Sequence, residues 1–213
     1  MTKIKAVIFD MDGVLIDAKE WHYEALNKAL ALFGFAISRQ EHLDSYDGLP
    51  TRKKLEMLSS EKNLPKGLHL FINDLKQLYT LQIANAKCSP LFIHEYALAR
   101  LKAEGYLLGV ASNSVKDSVE LMMRKSHLHD RLDVLLSNED VDQAKPAPDM
   151  YLKAAAMLKL KPEECWVIED NQHGIAAARA AGAKVMAVVQ VTEVNYQNIM
   201  AHIKQAETAI WTY

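Results

Sequence analysis

Cysteine is scarce in this chain: Cys88 and Cys165 are its only two, far apart and without C-x-x-C spacing. That excludes a disulfide framework and gives no zinc-ligand pattern, so both read as core residues in a reducing cytoplasm. An excess of one charge is also missing. Lys and Arg number 25 against 27 Asp and Glu, for a net charge of -2, and no basic field exists to attract nucleic acid or an anionic membrane. Long apolar runs are absent as well. The first, Ala6–Phe9, is too short for a signal segment or a membrane span. No repeat, low-complexity tract or Gly/Ser linker divides the sequence. What remains is ordinary globular composition, half of it hydrophobic, expected to be a cytoplasmic monomer acting on a small molecule.

Hydrophobic patterning sorts the chain into two kinds of segment. Short apolar runs predict strands at Ile4–Phe9, Tyr106–Ala111, Val134–Leu136, Trp166–Ile168 and Val185–Val189. Helical spacing is expected at Leu91–Ala103, Val115–Lys125, Asp149–Leu158 and Ile175–Ala181. This alternation predicts an α/β fold, a Rossmann-like parallel sheet with helices on both faces. From Glu20 to about Ala86 the pattern is helical throughout, with Trp21, Ala25, Leu26, Ala29, Leu32 and Phe33 at helix spacing and Gly34 placed to stop that helix. The expected organisation is a core of residues 1–17 and 88–213, with residues 18–87 inserted as an all-helical cap after the first strand. Beyond Tyr196 a last helix is expected, followed by an edge strand at Thr208–Trp211.

In open α/β sheets ligands bind beyond the carboxyl ends of the strands. Read in order, those ends carry Asp10 and Asp12, then Ser112 and Asn113, then Lys145 in a loop, then Glu169 and Asp170. Four carboxylates around one point repel one another and raise their own pKa values unless a cation neutralises them. Magnesium suits such oxygen-only ligands. The hydroxyl of Ser112, the amide of Asn113 and the ammonium of Lys145 match the oxygens of a transferring phosphoryl group. Taken singly, each element has an ordinary reading: Ser112-Asn113-Ser114 as a helix N-cap, Lys145 as a solvated loop lysine. It is their joint placement that points to chemistry.

The chain resembles the haloacid dehalogenase superfamily, in its β-phosphoglucomutase-like phosphatase branch. The resemblance rests on V-I-F-D-M-D-G-V-L-I-D at Val7–Asp17, A-S-N at Ala111–Asn113, K-P-A-P-D at Lys145–Asp149 and V-I-E-D-N-Q-H-G at Val167–Gly174. It implies that Asp10 is the nucleophile, Asp12 the general acid and base, and Ser112, Asn113 and Lys145 the phosphate binders. Asp10, Asp12, Glu169 and Asp170 would hold Mg2+. The helical insertion resembles that family's small cap, with Gly48 in the loop facing the site and Thr51, Arg52 and Lys76 as candidates for substrate choice.

Three departures from the family pattern stand out. Ala18 replaces a frequent Ser or Thr near the cap hinge, and Asn171 replaces a frequent Ser after the acidic pair, where it still suits a helix cap. Mutase members place an Arg three residues after the cap-loop glycine; here Thr51 holds that position and Arg52 follows it. The shift favours hydrolysis over mutation, with the sugar phosphomutase as the alternative because Arg52, Lys53, Lys54 or Lys76 could take the missing arginine's place. Dehalogenation is disfavoured, and a catalytically silent phosphometabolite binder would not require Asp10, Asp12 and Lys145 together. His22, on the first insertion helix, is left outside the catalytic set.

Overall fold

A computed structural model of the chain describes residues 3–208. Its centre is a parallel sheet in the order β3-β2-β1-β4-β5. The strands are β1 (Ala6–Phe9), β2 (Leu107–Ala111), β3 (Val134–Leu136), β4 (Cys165–Glu169) and β5 (Lys184–Ala187). β1 lies in the middle, its Ala6–Phe9 aligned with Leu107–Val110 on one side and Cys165–Ile168 on the other. All of β1 is buried, as a strand must be when helices cover both faces of a parallel sheet.

Side chains alternate across the sheet with a period of two. Val7, Phe9, Leu108, Val110, Trp166 and Ile168 share one apolar cluster, while Ala6, Ile8, Ala111, Cys165 and Val167 share the other. The helices that cover these faces are α5 (Phe92–Ala103), α6 (Lys116–Lys125), α7 (Asp149–Met157), α8 (Gln172–Ala181) and α9 (Tyr196–Thr208). Small residues, Ala154 on α7 with Ala177 and Ala178 on α8, bring those two helices close to the sheet. Both cysteines are free and buried in these clusters, the packing role the sequence indicates.

Between β1 and β2 the chain is helical: α1 (Lys19–Ala31), the single turn α2 (Arg39–Glu41), a π turn at His42–Tyr46, α3 (Thr51–Lys62) and α4 (His69–Lys87). These elements own a third apolar cluster built on Leu26, Leu30, Tyr46, Leu55, Leu58 and Ile72. Ala84 and Cys88, at the end of α4, join the cluster of the sheet instead. Among the described residues no helix is long and apolar enough to cross a membrane.

The strand boundaries follow the sequence closely, with one shift at the edge. β5 ends at Ala187: Val188 still donates its N–H to Glu169 O on β4, but Val189 is 82% exposed. The expected edge strand at Thr208–Trp211 begins on the last residue of α9 and otherwise lies outside the described residues.

Candidate active site

The order in which strands are added reverses between β1 and β4, since β2 and β3 lie on one side of β1 and β4 and β5 on the other. Such a switch point opens a crevice at the strand ends. Asp10 leaves β1 there, its N–H held by Ile168 O at 2.9 Å. Asp10, Glu169 and Asp170 each offer a carboxylate oxygen within 4.8 Å of the others. Into this group comes Lys145, from the loop after β3. It is only 3% exposed, not the solvated loop lysine its neighbours in sequence would suggest. Its ammonium donates to Asp10 Oδ1 (2.6 Å), Glu169 Oε1 (2.7 Å) and Ala111 O (2.8 Å). The Tyr151 hydroxyl donates to Glu169 Oε1 at 2.5 Å, and Lys19 Nζ sits 2.5 Å from Asp170 Oδ2.

Burial pushes the Asp10 carboxyl well above the ordinary carboxylate range; Lys145 opposes this, while Glu169, Asp170 and Asp12 add to it. Burial alone would lower Lys145, but Asp10 and Glu169 overcome it and hold its pKa well above the usual value. The acidic group thus carries more negative charge than Lys145 and Lys19 cancel. An all-oxygen donor set with a charge deficit of this kind fits a hard divalent cation.

Of the four carboxylates expected around such a cation, three come together and Asp12 does not. The turn after β1 explains why. Gly13 adopts φ 88 and donates its N–H to Ile16 O, and the Asp12 carboxylate faces Ser114 and His22 instead. The Ser114 hydroxyl donates to Asp12 Oδ2 at 2.8 Å, and His22 Nε2 lies 3.1 Å from the same oxygen. Lys76 Nζ, in turn, is 3.2 Å from His22 Nδ1. The row is consistent when Lys76 donates to Nδ1 and Nε2 carries the proton donated to Asp12. Burial would raise the Asp12 pKa, but His22, Ser114 and Lys76 outweigh it and hold Asp12 below its ordinary value. Asp12 Oδ1 is buried without a hydrogen-bond partner.

Ser112 is buried, and its Oγ accepts the Ser114 N–H at 3.0 Å. Asn113 lines the cavity, but its side chain serves as a brace. It donates to Gly48 O (3.3 Å) and Lys145 O (3.2 Å) and accepts from Lys145 N (3.0 Å). The N-cap reading of this segment is not what forms, since Val115 precedes α6 without a side-chain cap bond and Glu139 takes the Lys116 N–H. Asn171 does cap α8, accepting from Gly174 N at 3.0 Å.

A cavity of about 310 Å³ joins the two layers. Asp10, Asp12, Ser112, Lys145 and Asp170 line it from the sheet edge; Gly48, Thr51, Arg52 and Lys76 line it from the helical side. Glu169 lies beneath, fully buried. The Arg52 side chain is 90% exposed and pairs with Glu56 one turn along α3, at the rim. Residues that sequence reasoning did not select also line the cavity: Lys19, His22, His42, Lys54 and Ser114. His22 drew notice in the sequence, as did Ser114 in a candidate cap segment and Lys54 as one of the basic residues able to replace the mutase arginine; nothing in the spacing marks Lys19 or His42.

Comparison with known proteins identifies the family. A family model described as haloacid dehalogenase-like hydrolase matches residues 7–188. Protein CbbY of Rhodobacter capsulatus is 32% identical over 194 residues, covering 86% of this chain and 85% of that protein. Pyrophosphatase PpaX of Bacillus thuringiensis is 27% identical over 195 residues, covering 87% and 83%. Among solved structures, β-phosphoglucomutase from Clostridium difficile superposes with a TM-score of 0.83 at 21% identity, over 96% of this chain and 99% of that one. At that identity the likeness is one of fold.

Proposed function

The chain belongs to the haloacid dehalogenase-like hydrolases, and we propose that within this family of enzymes it is a magnesium-dependent phosphatase. Its substrate is a small phosphorylated metabolite, a sugar or polyol phosphate, and Asp10 is phosphorylated in passing. The observation that carries this reading is the buried Asp10 carboxylate, held by the Lys145 ammonium at 2.6 Å on the wall of a cavity that admits a small molecule.

A carboxylate approaches a phosphate dianion against charge repulsion. Asp10, Glu169 and Asp170 would hold Mg2+, which would supply charge neutralisation and Lewis acidity toward the phosphoryl group. Lys145 adds a fixed positive charge, and Ser112 a hydroxyl donor. An Asp10 oxygen forms a bond to phosphorus as the bond to the leaving oxygen breaks, and Asp12 gives that oxygen its proton. A water then attacks the aspartyl phosphate, Asp12 takes the water's proton, and phosphate leaves with Asp10 restored. His22 and Ser114 hold Asp12 as an anion in the ligand-free protein. A phosphate dianion beside it raises its pKa, so the proton it needs is favoured by substrate binding.

Residues 18–87 act in this reading as a cap, hinged near Asp17–Lys19 and Ala86–Pro90, which closes over the strand ends to exclude water. Hydrolysis is favoured over phosphoryl return to a sugar because Arg52 points to solvent and pairs with Glu56. The two free, buried cysteines fit a protein working in a reducing cytoplasm.

The test is release of inorganic phosphate from a panel of phosphorylated sugars and polyols. Turnover is expected with Mg2+, is expected to stop with EDTA, and is expected to return when Mg2+ is restored. Turnover indifferent to EDTA would remove the metal from the scheme; no turnover on any ester would remove the scheme itself.

A further inference from the structure

Lys19 stands at the seam between the sheet and the helical insertion. Ala18 before it belongs to the apolar cluster of the sheet, while Leu26, Ala29 and Leu30 farther along α1 belong to that of the insertion. As the first residue of α1, Lys19 puts a positive charge where the helix dipole is itself positive, and Ala18 supplies no side-chain cap. Glu20 beside it is paired with Arg39. Local helix energetics disfavours a lysine at this position, and breaches of local preference gather at functional places.

What the lysine gains there is Asp170. Its ammonium lies 2.5 Å from Asp170 Oδ2, and the Asp170 side chain is removed from solvent. Gly13 makes room for the contact: a Cβ there would meet Asp170 Oδ2 at 2.0 Å and Lys19 Cε at 2.6 Å. No hydrogen bond of ordinary alignment reaches that oxygen, however, so charge alone holds the pair and the oxygen stays open to another partner. The same carboxylate is one of the three that could take a divalent cation. Lys19, by contrast, is 34% exposed in its side chain and lines the cavity, so its flexible stem can swing aside without opening the core.

We propose that Lys19 is a stand-in cation, which balances Asp170 while the divalent cation is away and gives way when that cation enters. The inference rests on the metal site of the phosphatase reading and makes metal binding an exchange of one cation for another. Two positive charges at one carboxylate repel each other, and the ammonium on its long stem is the one that moves. Because Lys19 heads α1, the exchange frees the first residue of the insertion from the sheet edge, and occupancy of the metal site is felt at the joint between the two layers.

Magnesium titration of the whole chain, without substrate, tests it. Calorimetry should give a Kd for Mg2+ about tenfold tighter in Lys19→Met than in the parent, because the competing charge is gone. Lys19→Arg keeps that charge and should stay near the parent. In EDTA, Lys19→Met should melt below the parent, since Asp170 has lost its counter-ion; in saturating Mg2+ the gap should close. Lys54→Met removes a charge from the same cavity but not from Asp170, and should change the Kd by less than about threefold. The exchange is overturned, with the metal site left standing, by any of these: Mg2+ binding in Lys19→Met no tighter than in the parent, equal tightening in Lys19→Arg or Lys54→Met, or a melting gap that is absent in EDTA or unchanged by Mg2+. A parent that binds no Mg2+ would overturn the metal site, and this inference with it.

Discussion

Lys145 Nζ lies 2.6 Å from Asp10 Oδ1 and 2.7 Å from Glu169 Oε1, with all three groups removed from solvent. One ammonium thereby ties the loop after β3 to the ends of β1 and β4, and it offsets part of the repulsion between two carboxylates that sequence separates by 159 residues, Asp10 and Glu169. Structure and chemistry depend on the same contact.

Truncating this lysine should therefore affect both. Lys145→Met leaves Asp10 and Glu169 buried without their shared cation, a loss on the order of 3–5 kcal/mol for a broken buried pair. Urea unfolding should show a lower midpoint, and phosphate release should be abolished. A midpoint equal to the parent's would mean that the ammonium is dispensable to the fold.

His22 should set the titration of Asp12. Its ring nitrogen faces Asp12 Oδ2 at 3.1 Å and helps hold the Asp12 pKa below the ordinary value. Removing it in His22→Leu lets burial dominate, so the Asp12 pKa rises and whichever limb of the kcat/KM profile Asp12 sets moves to higher pH. A limb that stayed in place, or moved down, would separate His22 from Asp12.

Gly174 is fixed by Glu169. A Cβ built there would meet Glu169 Oε1 at 1.8 Å, because the first turn of α8 passes directly over that carboxylate. Gly174→Ala must displace either the helix or an acid already held by Lys145 and Tyr151. A destabilisation of about 1–3 kcal/mol is expected in urea unfolding, the range for overpacking in a filled core. A neutral result would mean that α8 can shift freely against β4.

The legibility of this fold in its sequence differed by region, for physical reasons. The strands of the sheet are buried on both faces, so their residues form short apolar runs that patterning detects; Val134–Leu136 was placed to the residue. Asp10, Ser112, Glu169 and Asp170 follow such runs directly, and strand ends in parallel sheets are where ligands bind. Asp12 follows the same strand end as Asp10, which put its carboxylate with the other three in the sequence reading; the turn at Gly13 sends the two side chains to different partners. His42 left no signal, and Lys54 showed only as one member of the basic run Arg52-Lys53-Lys54, which reads as a solvated helix face. Each sits in a helical stretch rich in polar residues, and which of these face inward is decided by how α3 and the π turn pack on α1 and α4, a property of tertiary contact that spacing does not carry.

The central claim is that Asp10 itself receives the phosphoryl group. Acid quenching during steady turnover, followed by mass spectrometry of the proteolysed chain, should find the mass of one phosphoryl group on the peptide that contains Asp10, and Asp10→Asn should lose both that adduct and phosphate release. A protein that turns over substrate with no phosphorylated peptide, and whose Asp10→Asn variant hydrolyses as fast as the parent, would contradict the account.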